Sequence, residues 1–209
     1  MKAIGITQSS HYDSKRNERF DKYDVSWINL LEKLKLQPYP IPNNLTDINE
    51  WLENANIEGI ILTGGNDLTY LSDAINPFSK RDHLEKMLIK YSIKKKIPLI
   101  GYCRGMQLIN NYFNGSLTRI ENHVAKNHDV LIDISGNKKK IEVNSFHNWG
   151  LFPDNLSKEL KIFALADDGS IEGFYHKKFK IKGIMWHPER NNNNYNLIDL
   201  DILNHFFFK

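Results

Sequence analysis

One cysteine stands in a setting that suits a nucleophile. Cys103 is the only cysteine of the 209 residues, and it lies at the centre of Gly101-Tyr102-Cys103-Arg104-Gly105. An apolar run precedes this stretch and apolar positions at helical spacing follow it, which is typical of a buried strand turning sharply into a helix. The glycines leave room for the turn, and the helix N-terminus favours thiolate over thiol. A lone cysteine is more often a small buried hydrophobe, but this context predicts a nucleophile.

A second set of reactive groups follows in Trp186-His187-Pro188-Glu189, where an apolar strand ends. A cysteine nucleophile needs a base that takes up its proton and later protonates the leaving amine. That base in turn needs an acceptor that holds its tautomer and orientation. His187 and Glu189 suit these two roles. His-x-Glu alone is a weak pattern, but together with the cysteine turn it predicts a Cys103-His187-Glu189 triad.

The elements that must position these groups alternate in the first half of the chain. Apolar patterns predict an alternation of strands and helices, and hence a mainly parallel sheet with helical crossovers. The polar segment 8–19 predicts a surface loop, and prolines within 37–41 place that strand at an edge. The predicted strands are 2–7, 37–41, 57–62 and the run before Cys103, and the predicted helices are 24–34, 49–54 and 83–95.

The second half has a different pattern, in which short strands are separated by turns. A helix at 196–208 closes the chain, and the asparagine run at 191–194 predicts a loop. No linker rich in Pro, Gly or Ser divides the sequence. We therefore predict one α/β domain over residues 1–209, with extra short antiparallel strands in its second half. These strands are predicted at 130–134, 141–145, 161–166, 171–175 and 181–186.

Composition excludes several classes of function. The chain is 41% hydrophobic and 25% charged, with a formal net charge of +3. The basic residues are scattered, which disfavours nucleic-acid binding. No run approaches the roughly 18 apolar residues of a membrane span, and the N-terminus starts a strand rather than a signal peptide. A single reduced cysteine then predicts a cytoplasmic protein.

Four motifs occur in the same order as in class I glutamine amidotransferase-like proteins, which the chain resembles over nearly its whole length. More narrowly, Ile4-Gly5-Ile6-Thr7 and Arg81-Asp82-x-x-Glu85 are similar to the γ-glutamyl-γ-aminobutyrate hydrolase branch, the peptidase C26-like hydrolases. The resemblance implies a flavodoxin-like α/β sandwich with the triad at the C-terminal edge of the parallel sheet. It also implies hydrolysis of a γ-glutamyl amide through a thioester. The four motifs are Thr63-Gly64-Gly65-Asn66-Asp67, Gly101-Tyr102-Cys103-Arg104-Gly105-Met106-Gln107, Asn144-Ser145-Phe146-His147 and Trp186-His187-Pro188-Glu189.

The resemblance further implies roles for residues around the triad. Backbone N–H groups of Gly65 and Arg104 would form the oxyanion hole. The amino and carboxylate groups of the glutamyl moiety would bind partly through main-chain groups. Taken alone, Gln107 fits a helix surface and His147 a structural histidine, while Arg81, Asp82 and Glu85 fit a structural salt-bridge cluster. The predicted substrate-binding residues are Gly64, Asn66, Gln107, Ser145, Phe146, His147, Asn148 and Trp149.

The leaving group is where this chain departs from the branch. Relatives that cleave γ-glutamyl-γ-aminobutyrate commonly read His-His-Gln after the serine, whereas this chain reads Phe146-His147-Asn148-Trp149. The His-Asn version resembles γ-glutamyl-CDP-amidate hydrolases, which release a phosphoramidate nucleotide for capsule decoration. Asn148 and Trp149 offer an amide and an aromatic face, which suit a nucleotide better than a short aliphatic acid. We therefore expect a small-molecule γ-glutamyl substrate that is large, anionic and nucleotide-linked.

Two other functions stay open at this point. A glutaminase subunit would deliver ammonia to a separate synthase, which requires a partner protein. A non-catalytic redox or ligand-binding protein could use the same turn, but it would not need Glu189. We expect no cofactor and no metal, because His123, His128 and His176 lack metal-ligand spacing. The sequence leaves the oligomeric state open.

Overall fold

The computed structural model describes residues 1–134, 136–191 and 195–208. It divides into two compact units, one built from Met1–Leu99 with the C-terminal segment from Pro188, and one from Ile100–His187. Of the predicted loop 191–194, residues 192–194 lie outside the described residues. The prediction of a single domain over 1–209 stays a prediction.

The first unit contains parallel strands separated by helices, as predicted. Strand β1 pairs in parallel with β4 and with β5, from Lys2 opposite Leu36 and from Ile4 opposite Gly59. All four residues of β5 are buried, which explains its continuous apolar run. The elements are β1 (Lys2–Thr7), β2 (Ser9–Asp13), β3 (Glu18–Lys22), α1 (Ser26–Lys33), β4 (Leu36–Ile41), α2 (Ile48–Asn54), β5 (Gly59–Leu62) and α3 (Ser79–Lys95).

The predicted surface loop at 8–19 is wrong, because β2 and β3 form an antiparallel hairpin there. Every residue of β3 is exposed, so its strand carries no apolar alternation from which it could have been predicted. The predicted edge position of β4 is confirmed within this unit, where β4 pairs with β1.

The second unit carries the strand-to-helix turn and an antiparallel set of strands. Its sheet runs in the order β6, β13, β12, β11, β8, β9, and the pairs from β13 to β9 are antiparallel. Strands β8 and β9 are longer than predicted because their additional residues are mostly polar and exposed. The elements are β6 (Leu99–Tyr102, whose first residue belongs to the first unit), α4 (Arg104–Tyr112), β7 (Thr118–Arg119), β8 (Val124–Ile134), β9 (Asn137–Phe146), β10 (Trp149–Gly150), β11 (Leu160–Ala166), β12 (Ile171–His176) and β13 (Ile181–Ile184).

The C-terminal segment returns to the first unit as helix α5 (Leu197–Phe208). Its Phe207 packs so closely on β5 that a Cβ at Gly59 would lie 2.7 Å from the Phe207 ring. Lys2 donates a hydrogen bond of 2.8 Å to the Phe207 carbonyl, which also ties the helix to β1. Among the described residues, no helix combines the length and apolarity needed to cross a bilayer. The cytoplasmic location stays a prediction.

Candidate active site

Cys103 occupies the predicted sharp turn, between the end of β6 and the start of α4. Its backbone is left-handed, with φ +49° and ψ −105°, an unusual conformation for a residue with a side chain. The Cys103 N–H donates to the carbonyl of Ile184 at 2.8 Å, which holds the turn against the end of β13. Cys103 is only 7% exposed.

The predicted need for glycine next to the turn at Cys103 is confirmed at Gly101. A Cβ there would lie 2.4 Å from the carbonyl carbon of Gly105, closer than any side chain tolerates. The clash is with backbone at the first turn of α4, so no side-chain rotation can relieve it. Gly101 therefore allows α4 to start directly against the strand that precedes it.

His187 lies three residues after the end of β13, in the same unit as Cys103. The side-chain amide of Asn144, on β9, holds the backbone of His187 at both ends. The His187 N–H donates to Asn144 Oδ1 at 2.8 Å, and Asn144 Nδ2 donates to the His187 carbonyl at 2.8 Å. Because the Cys103 N–H is bonded to the last residue of β13, the cysteine and histidine segments are anchored to the same strand end.

The aromatic ring next to the histidine belongs to Phe146. Its centroid lies 5.9 Å from that of His187, with the two planes at 80°, an edge-to-face contact. Phe146 is 41% exposed, so it also presents apolar surface to solvent. The predicted substrate contact at this position is therefore accessible.

Three predicted glutamyl-binding side chains are engaged in hydrogen bonds within the protein. Gln107 Nε2 donates to the Trp149 carbonyl at 2.8 Å, and His147 Nδ1 lies 3.1 Å from the same oxygen. Ser145 Oγ donates to the His123 carbonyl at 2.7 Å. These bonds stabilise the backbone of 145–149, which agrees with a role for main-chain groups. Their contact with a substrate stays a prediction.

Trp149 differs from the open aromatic face that its sequence context suggests. It is 9% exposed, and the guanidinium of Arg119 lies 4.8 Å from its ring centroid. The reason is local pairing, because β10 pairs with β7 and sets Trp149 opposite Arg119. Asn148 is exposed, and its carbonyl accepts a bond from the Ile120 N–H. Phe146 rather than Trp149 is thus the exposed ring in this stretch.

The buried carboxylate of Glu172 lies next to His147. Burial works to lower the pKa of His147, but the adjacent Glu172 carboxylate outweighs it and the pKa is raised. Burial works to raise the pKa of Glu172, but His128 and His147 outweigh it and the pKa is lowered. His147 and Glu172 therefore form a buried pair that favours charge on both partners.

In the first unit, the loop 63–67 follows β5 and contains Gly64 and Gly65. The buried Arg81 of α3 donates to the carbonyls of Thr63 and Gly64 at 2.8 and 3.0 Å. The Gly65 φ is +115°, and a Cβ there would lie 2.7 Å from Ser9 Cβ. The loop is consequently rigid and depends on glycine at position 65.

Arg81 and Asn66 have structural roles that their sequence context only partly indicates. The predicted salt-bridge cluster contains a buried Arg81–Glu85 pair at 2.9 Å, while Asp82 accepts bonds from Thr69. Asn66 uses its side chain on the backbone of Ser10 and Asn76, so its substrate contact stays a prediction. The sequence analysis did not anticipate that Arg81 holds the Gly64-Gly65 loop.

Glu189 lies in a short helical turn, Pro188–Arg190, of the first unit. It is 2% exposed, and its Oε1 is 3.6 Å from Arg190 Nε. Arg190 also approaches Asp24, at 4.0 Å. A carboxylate so deeply buried is suited to hydrogen bonding rather than to solvent exposure. Its partnership with His187 stays a prediction.

Comparison with known proteins agrees with these features. A family model described as Peptidase C26 matches residues 2–189. A γ-glutamyl-CDP-amidate hydrolase of Campylobacter jejuni is 37% identical, over 98% of this chain and 96% of the relative. One subunit of the glutamine-hydrolysing GMP synthase from Methanococcus vannielii is 27% identical, over 73% of this chain and 75% of the relative.

Solved structures show the same fold. A proposed GMP synthase subunit from Thermoplasma acidophilum superposes with a TM-score of 0.71, covering 99% of this chain and 92% of that one at 21% identity. A glutamine amidotransferase from Thermotoga maritima superposes with a TM-score of 0.64 at 16% identity, covering 90% of this chain and 76% of that one. The predicted α/β class, with a mainly parallel sheet flanked by helices and added antiparallel strands, is confirmed.

Proposed function

The chain belongs to the Peptidase C26 family, hydrolases of γ-glutamyl amide bonds, and we propose that Cys103, His187 and Glu189 carry out this hydrolysis. The protein is accordingly a hydrolase of C–N bonds that acts on a small γ-glutamyl compound. Cys103 is the nucleophile, His187 the base and acid, and Glu189 the carboxylate that orients the imidazole.

The first half of the reaction forms the thioester. His187 takes the thiol proton, and the Cys103 sulfur attacks the γ-carbonyl carbon of the substrate. The carbonyl oxygen becomes an oxyanion, which the N–H groups of Gly65 and Arg104 stabilise. The C–N bond then breaks, and His187 protonates the departing nitrogen. A γ-glutamyl thioester on Cys103 remains.

The second half returns the free enzyme. His187 removes a proton from water, and the resulting hydroxide attacks the thioester carbonyl. The C–S bond breaks, glutamate leaves, and the sulfur recovers its proton from the imidazolium. The same two side chains thus serve both halves, and no external oxidant, reductant or metal is required for balance.

The observation that carries the assignment is the backbone of Cys103. A left-handed φ at a buried cysteine between a strand and a helix is strained, and strain of this kind clusters at functional sites. A merely packed cysteine would not require the turn, nor glycine at position 101. A non-catalytic redox or ligand-binding protein could use the same turn, but it would give no role to the buried carboxylate of Glu189.

The test is replacement of the sulfur. In Cys103→Ser and Cys103→Ala, glutamate release should fall about a thousandfold or more, while circular dichroism and thermal unfolding stay close to wild type. A rate for Cys103→Ala within tenfold of wild type would refute the proposal. Glutamine cleavage that is slow alone and accelerates only with a synthase would instead support the ammonia-delivering alternative.

For the leaving group, we propose a nucleotide joined through a phosphoramidate, as in γ-glutamyl-CDP-amidate. The support is the relative that is 37% identical over nearly the entire chain, whose name states this substrate. The exposed ring of Phe146, next to His187, offers a face on which a base can stack. Synthesis and decoration of a capsule would be the setting of such a reaction.

Substrate preference tests this part. kcat/KM should be highest for γ-glutamyl-CDP-amidate, and lower for γ-glutamyl-γ-aminobutyrate and glutamine. Phe146→Leu keeps apolar volume against His187 but removes the aromatic face, so it should lower kcat/KM for the nucleotide substrate about 5- to 100-fold more than for glutamine. Phe179→Leu, another partly exposed phenylalanine of the same unit, is the control. Equal use of the aminobutyrate conjugate would contradict the assignment.

A further inference from the structure

A buried group of two histidines and a glutamate lies on and next to the antiparallel strands of the second unit. His123 precedes β8, His147 follows β9, and Glu172 is on β12. Their ligand atoms approach one another closely: His123 Nδ1 is 3.3 Å from His147 Nε2 and 3.9 Å from Glu172 Oε1, and His147 Nε2 is 3.6 Å from Glu172 Oε1. All three residues are at most 4% exposed.

The backbone already holds the two histidines side by side. The His147 N–H donates to the His123 carbonyl at 3.0 Å, and Ser145 Oγ donates to the same oxygen at 2.7 Å. The approach of the two rings is therefore built by main-chain pairing rather than by mobile side chains.

The outer nitrogen of each ring has an acceptor. His147 Nδ1 lies 3.1 Å from the Trp149 carbonyl, and His123 Nε2 lies 3.0 Å from Asp168 Oδ2. Asp168 is in turn held by the N–H and hydroxyl of Ser170. When each ring donates outward, the lone pairs of His123 Nδ1 and His147 Nε2 face one another. Metal-binding histidines have this arrangement, in which an outer carbonyl or carboxylate fixes the tautomer.

Glu172 supplies the independent observation. Both its carboxylate oxygens are buried, and neither has a hydrogen-bond partner among the described residues. The nearest ring nitrogens lie 3.5 to 3.9 Å away, too far for an ordinary hydrogen bond. Such a carboxylate is costly unless a cation sits beside it, and that cation is either a proton on His147 or a metal ion held by the ring nitrogens. His128 Nε2, 3.5 Å from Glu172 Oε2, is likewise buried without a hydrogen bond among those residues.

We propose that His123, His147 and Glu172 bind a zinc ion. Zinc–ligand bonds of about 2.0–2.1 Å in a tetrahedron place neighbouring ligands about 3.3–3.4 Å apart, close to the separations here. Imidazole with carboxylate suits zinc better than magnesium or calcium, which prefer oxygen alone. The fourth position goes to His128 or water. The ion joins the residue before β8, the residue after β9 and strand β12.

The experiment uses the full chain carrying Cys103→Ser, so that zinc cannot be held by the nucleophile. After treatment with a chelator and its removal, ZnCl₂ or CoCl₂ is added and bound metal is counted per chain. We expect one ion, Co²⁺ absorption bands typical of tetrahedral nitrogen and oxygen ligation, and affinity that falls below about pH 6.5. At a hundredfold excess over Kd, zinc should raise Tm by about 5–10 °C.

Variants in the same background locate the ion. His123→Gln and Glu172→Gln should each lower zinc affinity at least tenfold and abolish the Tm rise. His176→Gln is the matched control, since His176 is equally buried, lies 3.4 Å from Glu159 and belongs to the same unit. The control should bind one ion as before. If Glu172→Gln does not fold, the test is the comparison of zinc affinity between His123→Gln and the Cys103→Ser protein with its three ligands intact.

Two results would overturn the proposal. One is no stoichiometric zinc and no change in Tm, which would mean that a proton shared between His147 and Glu172 satisfies the cluster. The other is undiminished binding in His123→Gln and Glu172→Gln, which would place the ion elsewhere. Neither result depends on turnover, so failure here is distinguishable from failure of the proposed hydrolysis.

Discussion

Asn144 is the residue whose removal tests how the histidine is positioned. Its side-chain amide accepts from the His187 N–H and donates to the His187 carbonyl, both at 2.8 Å. Substitution Asn144→Ala removes both bonds without touching the proposed triad. The ring contact between His187 and Phe146 would stay in place in this variant.

The magnitude follows from those two bonds. Each contributes a net of about 0.5–1.5 kcal/mol, so together they stabilise this placement by about 1–3 kcal/mol. If that free energy is lost in the transition state, where the imidazole must lie in line with sulfur and leaving group, kcat falls by about 5- to 150-fold. Since substrate-binding groups are untouched, KM should change less than threefold.

The assay measures glutamate release at saturating γ-glutamyl substrate. A separate measurement follows the rate at which iodoacetamide alkylates Cys103 as a function of pH. Asn144→Ala should alter the alkylation profile as well as kcat, because it displaces His187, the proposed base. Asn144→Asp keeps an acceptor for the His187 N–H but sets a carboxylate oxygen against the His187 carbonyl, so it should lose at least as much activity as Asn144→Ala. Asn127→Ala, which removes an exposed bond to Glu142 on the same strand pair, should act within twofold of wild type.

Refutation would be direct. If Asn144→Ala keeps kcat within twofold of wild type, the amide does not position His187 for catalysis. The alternative is that kcat falls in Asn144→Ala, but the alkylation profile shifts no more than it does in the Asn127→Ala control. The loss then reflects general destabilisation of the strand pair. Thermal unfolding of each variant separates these outcomes.

Three further predictions concern stability and the first unit. Gly101→Ala should lower the free energy of unfolding by about 3 kcal/mol or more in denaturant titration, because its Cβ would clash with the backbone of Gly105. Burial lowers the pKa of Lys182 to about 8, so between pH 8 and 10.5 the unfolded chain binds more protons than the folded chain. The free energy of unfolding should therefore rise by about 2–3 kcal/mol across that range, and Lys182→Met should abolish the rise. Arg81→Met should lower the free energy of unfolding by about 3–5 kcal/mol, because it removes the guanidinium that pairs with the buried Glu85. Glutamate release should also fall, because the Gly64-Gly65 loop loses the Arg81 donors, and a change in stability below about 1 kcal/mol would contradict this role of Arg81.

The features that the sequence predicted correctly depend on interactions between residues close together along the chain. The strand before Cys103, the helix after it and the glycine at position 101 follow from periodicity and from sterics within a few residues. The same reasoning correctly predicted β1, the edge position of β4 and the alternation of the first unit. It missed the β2–β3 hairpin because exposed polar strands carry no alternation. The motif order further identified the family and its γ-glutamyl chemistry.

Tertiary pairing decided the rest. Asn144 reaches His187 across 43 residues, and only the folded chain brings the end of β9 to the segment that follows β13. His123, His147 and Glu172 show no ligand spacing along the chain, since they lie before β8, after β9 and on β12. Trp149 is covered by Arg119 because β10 pairs with β7. Such contacts depend on strand order and register, which no local pattern of residue types encodes.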